Sequence, residues 1–125
     1  MKSSIVKDKS YAFALRTITL ARWLKAQKEF EIAGQILRSG TAIGSNVEEA
    51  LAGISRADFI AKMSIASKEA RETHYWLRLL RDSNIVANTR ITPLENENLE
   101  LIRVLTAIVK TSQATSVNSK LRIKN

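Results

Sequence analysis

Hydrophobic positions recur along this chain in steps of three and four residues, the period at which an α-helix returns side chains to the same face. The strongest run is Phe30, Ala33, Leu37, Gly40, Gly44, Val47 and Leu51, with Ile36, Ile43 and Ala50 beside it. It predicts a helix from about Phe30 to Ala52 whose apolar arc is wide enough to touch more than one partner. Phe59, Met63, Ala66, Ala70, Thr73, Leu77 and Leu80 repeat the heptad in a helix reaching about Ser83. A first helix, from about Ser10 to Lys28, puts Tyr11, Ala14, Ile18 and Ala21 on one stripe, with Leu15 beside it and Phe13, Leu20 and Leu24 broadening it. A fourth carries Leu101, Leu105 and Ile108, flanked by Ile102 and Val109.

One proline and four glycines leave few points of punctuation. Gly53 closes the second helix, and Ser55-Arg-Ala-Asp58 opens the third with a hydroxyl cap and an acidic first turn. Asn84 suits the left-handed stop that ends it. Thr92-Pro93-Leu94-Glu95 reads as the cap of the fourth helix: a hydroxyl, proline at the first helical position, and a glutamate able to reach back. After about Lys110 the composition has weak helix propensity and little to bury, which predicts a frayed or disordered end. The resulting plan is an N-terminal extension over 1–9, one helical domain over 10–112 and a basic, flexible tail over 113–125.

Local propensity opposes this plan at Ser39-Gly-Thr-Ala-Ile-Gly-Ser45, where Ser45-Asn-Val-Glu48 forms a capping box and a break near Gly44 competes with a continuous helix. The apolar seam keeps its phase from Phe30 to Leu51, which a broken helix has no reason to do. In the continuous form Gly40 and Gly44 lie one turn apart, and the expected contact is with Ala66 and Ala70 of the third helix.

A chain of 125 residues, 45% hydrophobic, suffices for one domain with one core. Zero cysteines exclude disulfides and thiolate metal sites and, with the polar start Met1-Lys-Ser-Ser-Ile5, fit a cytoplasmic protein. No apolar run approaches the ~20 residues that cross a bilayer, so no membrane partner is expected. Twenty Lys and Arg against twelve Asp and Glu give a net charge of +8 and attraction to polyanions.

A nucleophile triad, a glycine-rich phosphate loop and a thiol site are absent from the sequence, and no enzymatic activity or cofactor is expected. Inward glutamates on neighbouring helices invite a di-metal centre, but such centres need two Glu-x-x-His motifs. His74 is the only histidine and Glu72 precedes it by two residues, off its face, so no metal is expected. On the first helix Arg22, Lys25 and Lys28 recur every three residues as a cationic strip, and Arg78 and Arg81 lie on the third. These five are the candidate phosphate contacts; an ordinary solvated face is the alternative. Trp23, Tyr75 and Trp76 suit either base stacking or core and interface anchoring.

Phe13-Ala-Leu-Arg16 with Ile18, Gln35-Ile-Leu-Arg-Ser-Gly-Thr-Ala-Ile-Gly-Ser-Asn-Val-Glu-Glu-Ala50, Asp58-Phe-Ile-Ala-Lys-Met63, Glu69-Ala-Arg-Glu-Thr73 and Tyr75-Trp-Leu-Arg-Leu-Leu80 carry a resemblance. From about Ser10 to Ser112 the chain resembles the bacterial four-helix-bundle proteins encoded in intervening sequences of large-subunit ribosomal RNA genes. Many members carry Pro where this chain has Gly44, and Gly where it has Ala50. The resemblance implies an antiparallel up-down four-helix bundle and assembly into homo-oligomers, homopentameric rings among them. It also implies a link to retroelement accessory proteins that bind nucleic acid and a reverse transcriptase. The family pattern points to Arg38, Asn46 and Glu49 on the second helix and Glu69 and Glu72 on the third. These form either a recognition patch or an internal polar network in which Arg38 neutralises carboxylates and Asn46 satisfies backbone. The functional expectation is a non-catalytic oligomer that binds RNA or a ribonucleoprotein; the alternative is a protein-interaction scaffold, such as an accessory subunit of a reverse transcriptase.

Overall fold

The structure, a computed structural model, describes residues 2–124 and the side chains of residues 5–117. The basic side chains of the expected tail, Lys120, Arg122 and Lys124, lie outside the described ones. Four helices, α1 (Lys2–Ala26), α2 (Phe30–Leu51), α3 (Arg56–Asp82) and α4 (Asn88–Lys124), follow one another through short turns. Each packs on the next, and α4 closes back on α1 along a lighter seam, so the chain is an antiparallel up-down four-helix bundle.

α2 is continuous through Gly44. Its buried face is Ala33, Ile36, Ser39, Gly40, Ile43, Gly44, Val47 and Ala50, and the seam's ends, Phe30 and Leu51, stay exposed. The α3 seam lies in the core from Met63 to Leu80, with Phe59 packed at its edge. Ser55 caps α3 by accepting from the Asp58 amide at 3.1 Å, and Asn84 ends its turn at φ 62°. The α1–α2 turn uses the same left-handed device with a lysine: Lys28, at φ 65°, donates its amide to Lys25 O, and the Glu29 amide reaches back to Leu24 O. That pair of bonds is the Schellman terminator, whose left-handed position is usually glycine.

The structure corrects several expectations. α1 starts at Lys2, not near Ser10, because Val6 is already fully buried, and its core face is Val6, Ser10, Phe13, Thr17, Leu20, Ala21 and Leu24. Tyr11 and Leu15 are surface residues. Gly40 and Gly44 pack against α1, not against Ala66 and Ala70: a Cβ on Gly40 would meet the Thr17 side chain, and one on Gly44 would meet Ser10. Ser10 and Thr17 enter the core because their hydroxyls donate to the carbonyls of Lys7 and Phe13, which leaves small, satisfied surfaces for the glycines. Ala66 and Ala70 are buried elsewhere in the core, and the Ala70 carbonyl accepts from the Asn98 amide of α4 at 3.0 Å.

α4 begins at Asn88, so Pro93 lies inside the helix and Thr92 is not its cap. Buried Val86 and Ile91 draw the start upstream, and the Ala87 carbonyl accepts from the Arg90 and Ile91 amides. Pro93 is exposed and costs the bundle one backbone bond near a helix end. The helix also continues through 113–124, the stretch expected as a tail.

Candidate nucleic-acid interface

Up-down topology gathers the C-termini of α1 and α3 and the N-termini of α2 and α4 at one end. Arg22, Lys25 and Lys28 are exposed there on α1 and its turn. Arg90, in the first turn of α4, lays its guanidinium over the Trp23 ring at 4.9 Å, adding a cation from a second helix to that end of the bundle. Spacing along the sequence carried no signal for Arg90, because the contact joins helices 67 positions apart only through the closure of α4 on α1.

The two arginines of α3 differ. Arg78 is exposed and lies over Tyr75 at 5.9 Å, and Tyr75 meets Trp76 edge to face at 5.1 Å. Arg81 is half-buried and committed to partners within the chain: its Nη1 donates to both carboxylate oxygens of buried Glu95, at 2.8 and 3.1 Å, and its Nε to Asp82. Those partners hold the Arg81 pKa up and the Asp82 pKa down, the hydrogen bond between the two being the largest cause. Glu95 therefore bridges α3 and α4 and is not a cap. The signal for this is its phase, one position from Leu94 and three before Asn98, on the buried side of α4.

Arg38, Glu69 and Glu72 come together across α2 and α3. Arg38 Nη1 donates to Glu69 Oε2 at 3.0 Å, and Nη2 donates to Glu72 Oε2, which also accepts from Trp76 Nε1 at 3.0 Å. Glu69 is buried, while half of the Arg38 side chain is open to solvent. The Trp76 hydrogen bond, with Arg38 adding to it, holds the Glu72 carboxyl below its ordinary range. Asn46 and Glu49 stand apart: Asn46 donates to Ala42 O at 2.8 Å on its own helix, and Glu49 pairs with Lys62 at 3.2 Å. The five positions of the family pattern thus divide into one interhelical cluster and two separate contacts.

The fold and these contacts define an all-helical bundle whose polar residues couple neighbouring helices. A family model described as 23S rRNA-intervening sequence protein matches residues 2–107, and the chain belongs to that family. It is similar to the crystal structure of a protein of unknown function from the S23 ribosomal protein family of Bacteroides thetaiotaomicron. The two share 47% identity at a TM-score of 0.85, over 88% of this chain and 99% of the other. A search of curated proteins gave no match. No helix among the described residues is long and apolar enough to cross a membrane.

Proposed function

We propose that this chain is a non-catalytic, self-associating bundle of the cytoplasm that binds RNA, or a ribonucleoprotein, through backbone phosphates. The observation that carries this reading is the Arg90–Trp23 stack, which holds a cation of α4 at the same end of the bundle as Arg22 and Lys25 of α1 and Lys28 of the turn. Arg78 adds charge at the same end, and the net charge of +8 favours polyanions at long range. Self-association is supported by Tyr11, Leu15 and Phe30, which are 58, 52 and 62% exposed and would lose water against another copy. A count of five copies is the expectation set by the family resemblance. The same apolar side chains support the second reading, a scaffold that docks a protein.

Measuring solution mass together with single-stranded RNA affinity tests both readings. The four phosphate contacts at this end contribute an affinity loss of about 50-fold between roughly 50 and 200 mM salt. Exchange of Arg22, Lys25 and Lys28 for glutamine should remove most of that salt dependence while the bundle stays folded. Salt-independent binding, or none, rejects the RNA reading in favour of the scaffold, and a monomer at high concentration rejects self-association.

A further inference from the structure

We infer that the groove between α3 and α4 is a second phosphate site, formed by Arg71 and Lys110 as cations and by Ser67, Thr106 and Gln113 as hydrogen-bond donors. These side chains, with Ser64 and Val109, line a cavity of about 260 Å³. The site stands well away from the basic end: Thr106 is 16 residues along α4 from Arg90, ~24 Å at the helical rise.

Charge pairing sets this groove apart. The α1–α4 seam pairs Lys9 with Glu100 and Arg16 with Glu97, the α2–α3 seam pairs Arg38 with Glu69 and Glu72 and Lys62 with Glu49, and the α3–α4 seam itself pairs Arg81 with Glu95 nearer the basic end. Among the described residues neither Arg71 nor Lys110 has an ion pair, and no carboxylate lines their cavity. Arg71 is nevertheless held in place, because its Nη2 donates to Thr106 Oγ1 at 3.1 Å across the groove. That bond uses a lone pair of the threonine hydroxyl and leaves its proton to be donated.

Two unpaired cations beside hydroxyl and amide donors, without an acceptor of negative charge, form the complement of a phosphate oxyanion. The open groove suits a phosphodiester of an RNA strand, the source to which the inference commits, and it rests there on the RNA reading proposed above. A free phosphate compound offers the same chemistry and is separated by experiment.

The test compares the wild-type chain, the double variant Arg71→Gln/Lys110→Gln and Thr106→Val, which keeps the side-chain shape but removes the hydroxyl. Arg71 and Lys110 are exposed, so the double variant should fold and melt as the wild type does. A labelled single-stranded RNA of about 20 nucleotides should bind the double variant roughly 10-fold more weakly at low salt. The slope of log affinity against log salt should fall by about 1.4, two contacts at the single-strand value. Inorganic phosphate followed by amide NMR should shift Ser67, Arg71, Thr106 and Lys110 in the wild type and not in the double variant. Thr106→Val should give an intermediate loss in both assays. Wild-type RNA affinity and an unchanged phosphate response in the double variant overturn the inference. A phosphate response lost in the double variant, with RNA affinity intact, retains the oxyanion site and overturns RNA as its source. If the wild type binds no RNA, the proposed function fails and the phosphate titration alone decides the groove.

Discussion

Gly40 lies directly against Thr17: a Cβ at position 40 would stand 2.5 Å from Thr17 Cγ2 and 2.8 Å from Oγ1. Both residues are buried, so α1 and α2 approach at this level without room for one methyl group. Interiors at crystal-like density absorb such an insertion by moving backbone or forcing rotamers. Gly40→Ala should therefore destabilise the bundle by about 1–3 kcal/mol in denaturant unfolding. Thr17→Ala removes the colliding atoms, so in the double variant Gly40→Ala should cost less than it does alone. Additive losses would show that the collision is relieved elsewhere.

Gly34 supplies the contrast within the same helix. It is exposed, and a Cβ there would meet nothing within 4 Å. Only the entropy and propensity terms remain, and both favour alanine in a helix interior. Gly34→Ala should raise stability by about 0.5–1 kcal/mol, seen as a higher denaturant midpoint with an unchanged slope.

The helix seams were legible where side-chain type and phase agree. Met63 to Leu80, the Ser55 cap and the Asn84 stop follow from spacing and turn chemistry alone. α1 misleads because its true core face contains Ser10 and Thr17, whose hydroxyls are satisfied by their own helix, while Tyr11 and Leu15 look like core and are surface. Periodicity reports that a face exists and not which helix it meets, so spacing alone points Gly40 toward α3 although its partner is Thr17. Contacts between distant segments, Arg90 on Trp23, Arg81 on Glu95 and Arg71 on Thr106, depend on helix register and had no local signature.

The Arg38 cluster gives α2 and α3 a pH-dependent tie. Glu72 has its pKa lowered from 4.5, first by the Trp76 hydrogen bond and then by Arg38. A carboxyl whose folded pKa is depressed contributes stability that is fully present above its unfolded value and is lost as pH falls through the folded one. Unfolding free energy should thus decline below about pH 4.5, and Glu72→Gln should flatten that limb. An acid limb unchanged by Glu72→Gln would place the pH dependence on other carboxylates. Arg38→Met should cost about 1–2 kcal/mol at neutral pH, since it leaves buried Glu69 without its partner while the arginine itself is half solvated.

Lys28 joins local strain to the proposed surface. Its φ of 65° is a conformation that costs an L-residue roughly 1–2 kcal/mol, whereas glycine adopts it freely. Glycine also gives the unfolded chain more entropy, so the net gain from Lys28→Gly is smaller, about 0.5–1 kcal/mol. The Schellman bonds at Lys25 and Leu24 are backbone bonds and survive the exchange. What is lost is one exposed cation from the strip of Arg22, Lys25 and Lys28. A phosphate-contacting lysine predicts weaker RNA binding, with the salt slope reduced by about 0.7. Lys28→Gly should therefore melt higher and bind RNA less tightly, a divergence that a purely structural role for this lysine cannot produce. Higher stability with unchanged RNA affinity would remove Lys28 from the interface and leave it only its place in the turn.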